Sequence, residues 1–188
     1  MTPAKLISAA AAVALASGLL FGAPYGVDIA HSNVGFKVRH LMISNMTGEF
    51  ARFSGSYDLE KGALRSLEGN IDAASVDTGI DKRDDHLRSA DFFDVANYPT
   101  ISFTMSRSEG DRVVGDLTLH GVTRSITLDA EVSGTIKDPW GNTRSSVSLS
   151  GSIKRSDFGL TWNKALETGG VVVGDTIRLA VELEGIAK

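Results

Sequence analysis

From Val34 onward, apolar and polar residues alternate one for one. Val34, Phe36, Val38 and His40 share one parity, and Gly35, Lys37 and Arg39 share the other. A period of two marks a strand with one buried face, because successive side chains leave opposite sides of the pleat. The pattern returns from Gly48 to Leu59, where Phe53, Gly55, Tyr57 and Leu59 keep one phase and Phe50 is out of step. One extra residue near Ala51-Arg52 repairs that slip, which predicts a β-bulge. Further strands are predicted over 67–73, 101–105, 113–119, 122–132, 147–153 and 177–183. Lys61-Gly62, Glu109-Gly110-Asp111, His120-Gly121 and Asp138-Pro139-Trp140-Gly141-Asn142 supply the turns.

The exception is Asp81 to Ser89, a charged, helix-prone run. Thr78 is placed as its cap and Asp81 as the acidic residue three positions on. Asp84 and Arg88 fall four apart, the spacing of an ion pair on a helix face. Only Ile80 and Leu87 offer an apolar stripe, so this helix is expected to cover the mouth or flank of a sheet. The double aromatic Phe92-Phe93 follows it, and Pro99 sets Tyr98 in an extended conformation before the next strand.

About eight long strands, joined mostly by short turns, predict an all-β chain. The expected form is an eight-stranded antiparallel up-and-down barrel with a small helical insertion, since closure removes the free sheet edges. A two-sheet sandwich is the alternative. Small residues at inward positions (Gly55, Gly69, Ala73, Gly115, Ala130, Gly151) point to unfilled space inside, or else to relief of barrel curvature. The loop from Phe158 to Gly170 carries Phe158, Leu160, Trp162 and Leu166. Such a loop suits either a lid over the mouth or packing on the outer wall.

Composition narrows the setting. Lys5 followed by the apolar run Leu6 to Leu20 has the layout of a secretory leader, so residues 1–23 are read as a signal peptide and 24–188 as one domain. Cleavage is expected after Ala16 or Ala23, and the chain beyond it is not expected to insert stably in a membrane. There is no cysteine, which rules out a disulfide framework and a lipid-modified N-terminal cysteine. The net charge is −4, and removal of Lys5 with the leader makes it −5. That balance argues against a nucleic-acid partner.

Candidate chemistry is sparse. The four histidines lack the local spacing of a zinc site, and no Gly-x-Ser-x-Gly elbow or phosphate-binding glycine loop occurs. No catalytic residue, metal or cofactor is expected. More informative are polar residues on the apolar parity: His40 shares a face with Phe36 and Val38, and Arg155 and Asp157 share one with Leu149 and Ile153. A buried charge requires a partner, so Arg155, Asp157 and His40 are expected to pair. They form either a structural cluster at one barrel end or a head-group contact for a ligand in the lumen. A competing reading makes His40 and Asp157 an acid/base pair of an enzyme acting on a lipid or quinone. A third is a partner-binding protein whose barrel is filled by its own side chains.

Several motifs in order resemble the YceI-like family. They are His31-Ser32-x-Val34-x-Phe36-x-Val38-x-His40, Arg83-Asp84-x-His86-Leu87-Arg88-Ser89-Ala90-Asp91-Phe92-Phe93-Asp94 with Tyr98-Pro99, Gly115-Asp116-Leu117-Thr118-Leu119-His120-Gly121-Val122-Thr123, and Arg155-x-Asp157-Phe158-Gly159. The resemblance implies a lipocalin-like barrel, export to the periplasm, homodimerisation, and binding of a polyisoprenoid or isoprenoid-quinone-type lipid without an established enzymatic activity. It sets Arg155, Asp157 and His40 among the inward polar residues. Phe36, Val38, Phe103, Met105, Leu117 and Ile153 would then hold the lipid tail, with Trp162 near the mouth.

Overall fold

The computed structural model describes residues 24–167 and 169–188, so the leader predicted over 1–23 lies outside the described residues. The chain runs as an antiparallel meander. Its first two long strands are each broken in two: β1 (Tyr25–Val27) with β2 (Asn33–His40), then β3 (Ser44–Phe50) with β4 (Phe53–Glu60). β5 (Ala63–Asp72) follows. The short β6 (Val76–Asp77) and the helix α1 (Asp81–Arg88) are inserted before β7 (Thr100–Glu109), β8 (Arg112–Leu119) and β9 (Val122–Val132). After the short β10 (Ile136–Lys137) come β11 (Thr143–Lys154) and β12 (Val173–Ala187). Pairing of β11 with β12, and of β12 with both β1 and β2, closes the wall into an eight-stranded barrel.

The breaks have local causes. The bulge expected at Ala51-Arg52 is instead a full break: β3 ends and β4 begins on either side of these two residues, where the apolar phase slips. There the Ala51 amide donates to the Ser75 carbonyl and the Arg52 amide to the Ser75 hydroxyl, and Phe50 turns inward. Between β1 and β2 the Asp28 carboxylate caps a short 3-10 turn (Ile29–His31), and the Ser32 hydroxyl donates to the Asp28 and Glu184 carbonyls. Arg144 of β11 locks this corner. Its guanidinium donates to Asp28 (2.8 Å), Asp138 (2.7 Å) and Glu184 (2.6 Å).

Two apolar clusters fill the ends of the barrel. The floor is built from Tyr25, Tyr57, Leu64, Val113 and Val147, with Leu67, Leu128, Leu149 and Leu183 above them. Tyr25 and Tyr57 stack with ring centroids 5.2 Å apart, and the Tyr57 hydroxyl donates to the Ser145 carbonyl at 2.8 Å. Burial pushes the Tyr57 phenol up to about 12, which keeps it a neutral donor. Gly185 admits this pair, since a Cβ there would lie 2.6 Å from the Tyr57 oxygen. The opposite end gathers Phe50, Val76, Ile101, Leu119, Phe158 and Leu160 beneath α1. Each such fully buried side chain contributes about 1.5–3 kcal/mol.

α1 differs from expectation at its start. Its cap position is Ile80, with no side-chain cap bond, and Thr78 precedes the helix. Thr78 instead donates through its amide and hydroxyl to Asp84, a buried residue of the first turn. Arg88 does not pair with Asp84. It donates to the carbonyls of Ala74 and Val76 and to the exposed Asp85, and so ties α1 to the 3-10 turn after β5 and to β6.

The glycines expected to mark unfilled space divide into two kinds. A Cβ at Gly115 would meet the Phe103 ring at 2.4 Å, and one at Gly151 would meet Leu128 at 2.6 Å. Both positions are recesses in which a neighbouring strand's large side chain lies flat against the wall. At Gly69 the nearest atom would be the Ser54 carbonyl oxygen at 3.6 Å, so that position faces open space.

Two predictions follow from this packing. Gly115→Ala costs about 1–3 kcal/mol by overpacking against Phe103, while Gly69→Ala holds or gains about 0.4–1 kcal/mol; urea unfolding of both variants checks the contrast. The second concerns the Arg144 corner. Hydrogen bonds from Arg144 hold the Asp28 and Asp138 carboxyls well below the ordinary value of 3.8. Their stabilising contribution is complete above that value and is lost as pH falls through the lower folded-state values. In Arg144→Met the carboxyls lose that hold, so the gap in stability between wild type and variant shrinks as pH drops below about 4. Unfolding midpoints at pH 7 and pH 3 test this.

Candidate functional site

Between the two apolar clusters the barrel is open. The cavity measures about 210 Å³. Its walls come from every long strand. Phe36, Val38, Phe103, Leu117, Ile153 and Arg155 line it. The roof is formed by Leu87 of α1 together with Phe92, Phe93 and Leu160. Val173 and Ile177 close the side at β12, and the facing pair Gly55 and Gly69 thins the wall between β4 and β5.

Arg155 is the polar centre of this cavity. β11 ends at Lys154, and Arg155–Phe158 form a 3-10 turn closed by the left-handed Gly159. That turn swings the guanidinium inward, where the residue is only 5% exposed. Nε donates to the Gly174 carbonyl (3.0 Å), one terminal nitrogen to Leu160 (2.5 Å) and the other to Val173 (3.4 Å). Three of its five N–H groups are thus spent on backbone carbonyls, and among the described residues it has no carboxylate in contact. Burial pushes its pKa down, and the Asp175 charge partly offsets this. The other ionisable lining residue, Glu68, has outward parity on β5, and its carboxylate accepts from the Ser56 hydroxyl on the outer face.

The expected Arg155–Asp157–His40 cluster does not form. The 3-10 turn breaks the period-two relation on which it rested, so Asp157 is exposed and away from the lumen. Its carbonyl accepts from Arg124 at 3.3 Å. His40 is half-buried at the rim opposite Val173 and makes no side-chain hydrogen bond among the described residues. Met105 lies below the cavity and packs against the floor cluster. Trp162 is outside it as well. Its ring packs on His86 (4.8 Å) and Phe92 (5.1 Å), behind the roof.

The long loop after the 3-10 turn is an arch rather than a solvated excursion. Leu160 is buried in the roof cluster, Ala165 bridges Val171, and Asn163 both donates to and accepts from the backbone of Val173. Trp162 clamps the arch to α1. Sequence reasoning missed Phe50, Leu87, Phe92, Phe93 and Leu160 as lining residues. The double aromatic after α1 was the available signal, but its direction depends on how α1 docks. Asp28, His31 and Glu184 approach one another closely enough for a shared cation, yet Arg144 already donates to both carboxylates there.

A closed eight-stranded antiparallel barrel around an apolar lumen, capped by one short helix, is a lipocalin-like fold. Residues 25–185 match the family model of the YceI-like domain, and the chain belongs to that family. A UPF0312 protein of Staphylococcus epidermidis is 37% identical over 163 residues, covering 85% of this chain and 95% of the relative. Among solved structures, a YceI protein of Campylobacter jejuni is 38% identical with a TM-score of 0.70, covering 86% of this chain and 96% of that one. A polyisoprenoid-binding domain from Saccharophagus degradans, implicated in plant cell wall breakdown, shares the fold at 23% identity and a TM-score of 0.64, covering 89% of this chain and all of that one.

Replacing Arg155 by Met strips donors from three carbonyls that hold the arch closed. Stability is expected to fall by roughly 2–4 kcal/mol, with amide exchange rising first in residues 159–167 and 169–174. Arg155→Lys, which keeps the charge and fewer donors, should fall between. Hydrogen exchange read by mass spectrometry checks both.

Proposed function

We propose that this protein sequesters or carries a lipid with a long apolar chain, a polyisoprenoid or isoprenoid-quinone type, whose tail fills the lumen and whose polar head meets Arg155. The observation that carries this reading is the cavity itself: almost wholly apolar walls with a single buried guanidinium that retains two N–H groups. Apolar walls with one or two placed polar groups are what a small-molecule site needs. An empty apolar cavity of this size costs on the order of 5 kcal/mol, comparable to the net stability of a whole domain. A chain inserted there offsets that cost and contributes about 0.8 kcal/mol for each CH2 removed from water.

The polyisoprenoid named for the Saccharophagus degradans domain is in keeping with this ligand class, but that domain shares the fold alone; the ligand assignment here rests on the lumen. The reading includes export to the periplasm, on the strength of Lys5 and the apolar run behind it. No helix among the described residues is long and apolar enough to cross a membrane. It includes no catalytic step: His40 and Asp157, the acid/base pair of the enzyme alternative, are not brought together. The filled-barrel alternative requires side chains where the cavity is.

The first test is mass spectrometry of an organic extract of the protein purified from a bacterial periplasm. A stoichiometric isoprenoid lipid is expected. An empty extract, repeated after incubation with a polyprenyl phosphate and an isoprenoid quinone, would sink the carrier reading. A second test uses Gly69→Val, which sets a β-favouring side chain into open lumen. It displaces about three carbons of bound chain, a loss of about 2 kcal/mol or roughly thirtyfold in affinity, with the fold intact by thermal melting.

A further inference from the structure

The rim of the barrel carries an apolar tip that nothing in the fold explains. β2 and β3 are joined by Leu41, Met42 and Ile43, with the Ile43 amide donating to the His40 carbonyl. Leu41 (φ 50°) and Met42 (φ 63°) both occupy the left-handed region. A hairpin turn of this shape suits Asn-Gly, and bulky apolar side chains are poor occupants of it. Met42 is 49% and Ile43 77% exposed. The tip stands at the mouth: the Leu41 amide donates to the Val172 carbonyl at 2.8 Å, and Gly170 of the arch lies against Met42. Val38 and Val173, just below, already line the cavity.

The outer wall beneath this tip is basic. Lys37 and Arg39 point outward from β2, Arg178 from β12 and Lys154 from β11. Lys37 and Arg178 are direct cross-strand partners, an arrangement of like charges that opposes pairing. None of the four forms an ion pair among the described residues. Arg39 donates to the Met42 carbonyl at 3.0 Å, which joins the basic strip to the tip. The acids nearby offset it only in part. Asp175 accepts from the amide and hydroxyl of Ser156, and Glu167 is a single acid on the arch. On a chain of net charge −4, a strip of four unpaired cations beside an exposed apolar tip is a segregated feature.

We propose that this face docks the barrel mouth onto an anionic lipid bilayer, with Met42 and Ile43 entering the interface and Lys37, Arg39, Lys154 and Arg178 meeting the head groups. Apolar side chains flanked by a strip of cations are what an anionic membrane surface recognises, by burial and by attraction together. Charge complementarity selects the membrane over a second copy of this chain, whose matching face would bring cation against cation. The docked mouth would give a lipid a path between bilayer and lumen that avoids water, and this purpose alone rests on the carrier reading.

The test uses residues 24–188, which contain every strand of the closed barrel and both core clusters. Flotation is measured with vesicles of phosphatidylcholine alone and of phosphatidylcholine mixed with phosphatidylglycerol. Association is expected only with the anionic vesicles, weakening as salt is raised. Lys37→Gln and Arg178→Gln should each weaken it roughly fivefold, and Ile43→Ser should weaken it too, all three without a lower melting temperature. Equal binding to neutral vesicles, no binding at all, or unchanged binding by the three variants would overturn the proposal. So would a fall in sedimentation coefficient caused by Ile43→Ser without vesicles, which would mark the tip as a self-association surface. Gly69→Val obstructs the lumen and should leave vesicle binding unchanged. An empty lipid extract with intact vesicle binding would therefore count against the carrier reading only.

Discussion

Holding an apolar space open inside a barrel runs against the same force that folds it. Eight strands closing on themselves direct their inward side chains at one axis, and the hydrophobic effect favours collapse of any void they leave. This barrel resists in two ways. Its wall is a continuous hydrogen-bonded ring that cannot shrink without breaking register. Large side chains are also laid along the wall rather than across the lumen: Phe36 over Gly48, Phe103 over Gly115, and Leu128 over Gly151. The glycines thus take part in setting the bore, and the void remains between a tyrosine-based floor and an aromatic roof.

The two ends are held by different physics. At the floor corner, Arg144 is held by three carboxylates, so its charge is fully countered and the kinked first strand is pinned to β11 and β12. At the mouth, Arg155 has only backbone carbonyls, which satisfy part of its donor capacity and none of its charge. A buried cation without an acid is costly, and it stands where a ligand's polar end would enter. The roof above it depends on side chains from α1 and the arch, not on wall pairing, so the mouth is the less tightly bound end.

Most of the strand pattern, the slip at Ala51-Arg52 and the helical insertion were legible in the sequence, because each depends on spacing within a few residues; the Leu41–Ile43 turn, built without turn-favouring residues, was not. Most of the apolar lining was legible for the same reason: once Phe36, Val38, Phe103, Leu117 and Ile153 are on inward parity, closure carries them to the lumen. The Arg155–Asp157–His40 cluster was not, since parity was carried one residue too far. The chain leaves extended geometry at Arg155, and a 3-10 turn does not alternate. Trp162 and Met105 had the right character, but their positions relative to the lumen depend on tertiary neighbours on other elements, Phe92 and the floor cluster.

By itself, then, the sequence determined the class of fold and the residues that face inward, through periodicities that the backbone imposes locally. Tertiary structure decided which inward positions are filled and which stay empty, because that depends on whose side chain leans over which glycine on the neighbouring strand. It also decided that one arginine is enclosed without an acid, and that four outward cations from three strands meet beside one apolar turn. Those juxtapositions arise only when strands distant in the chain are brought into register, and no local pattern encodes them.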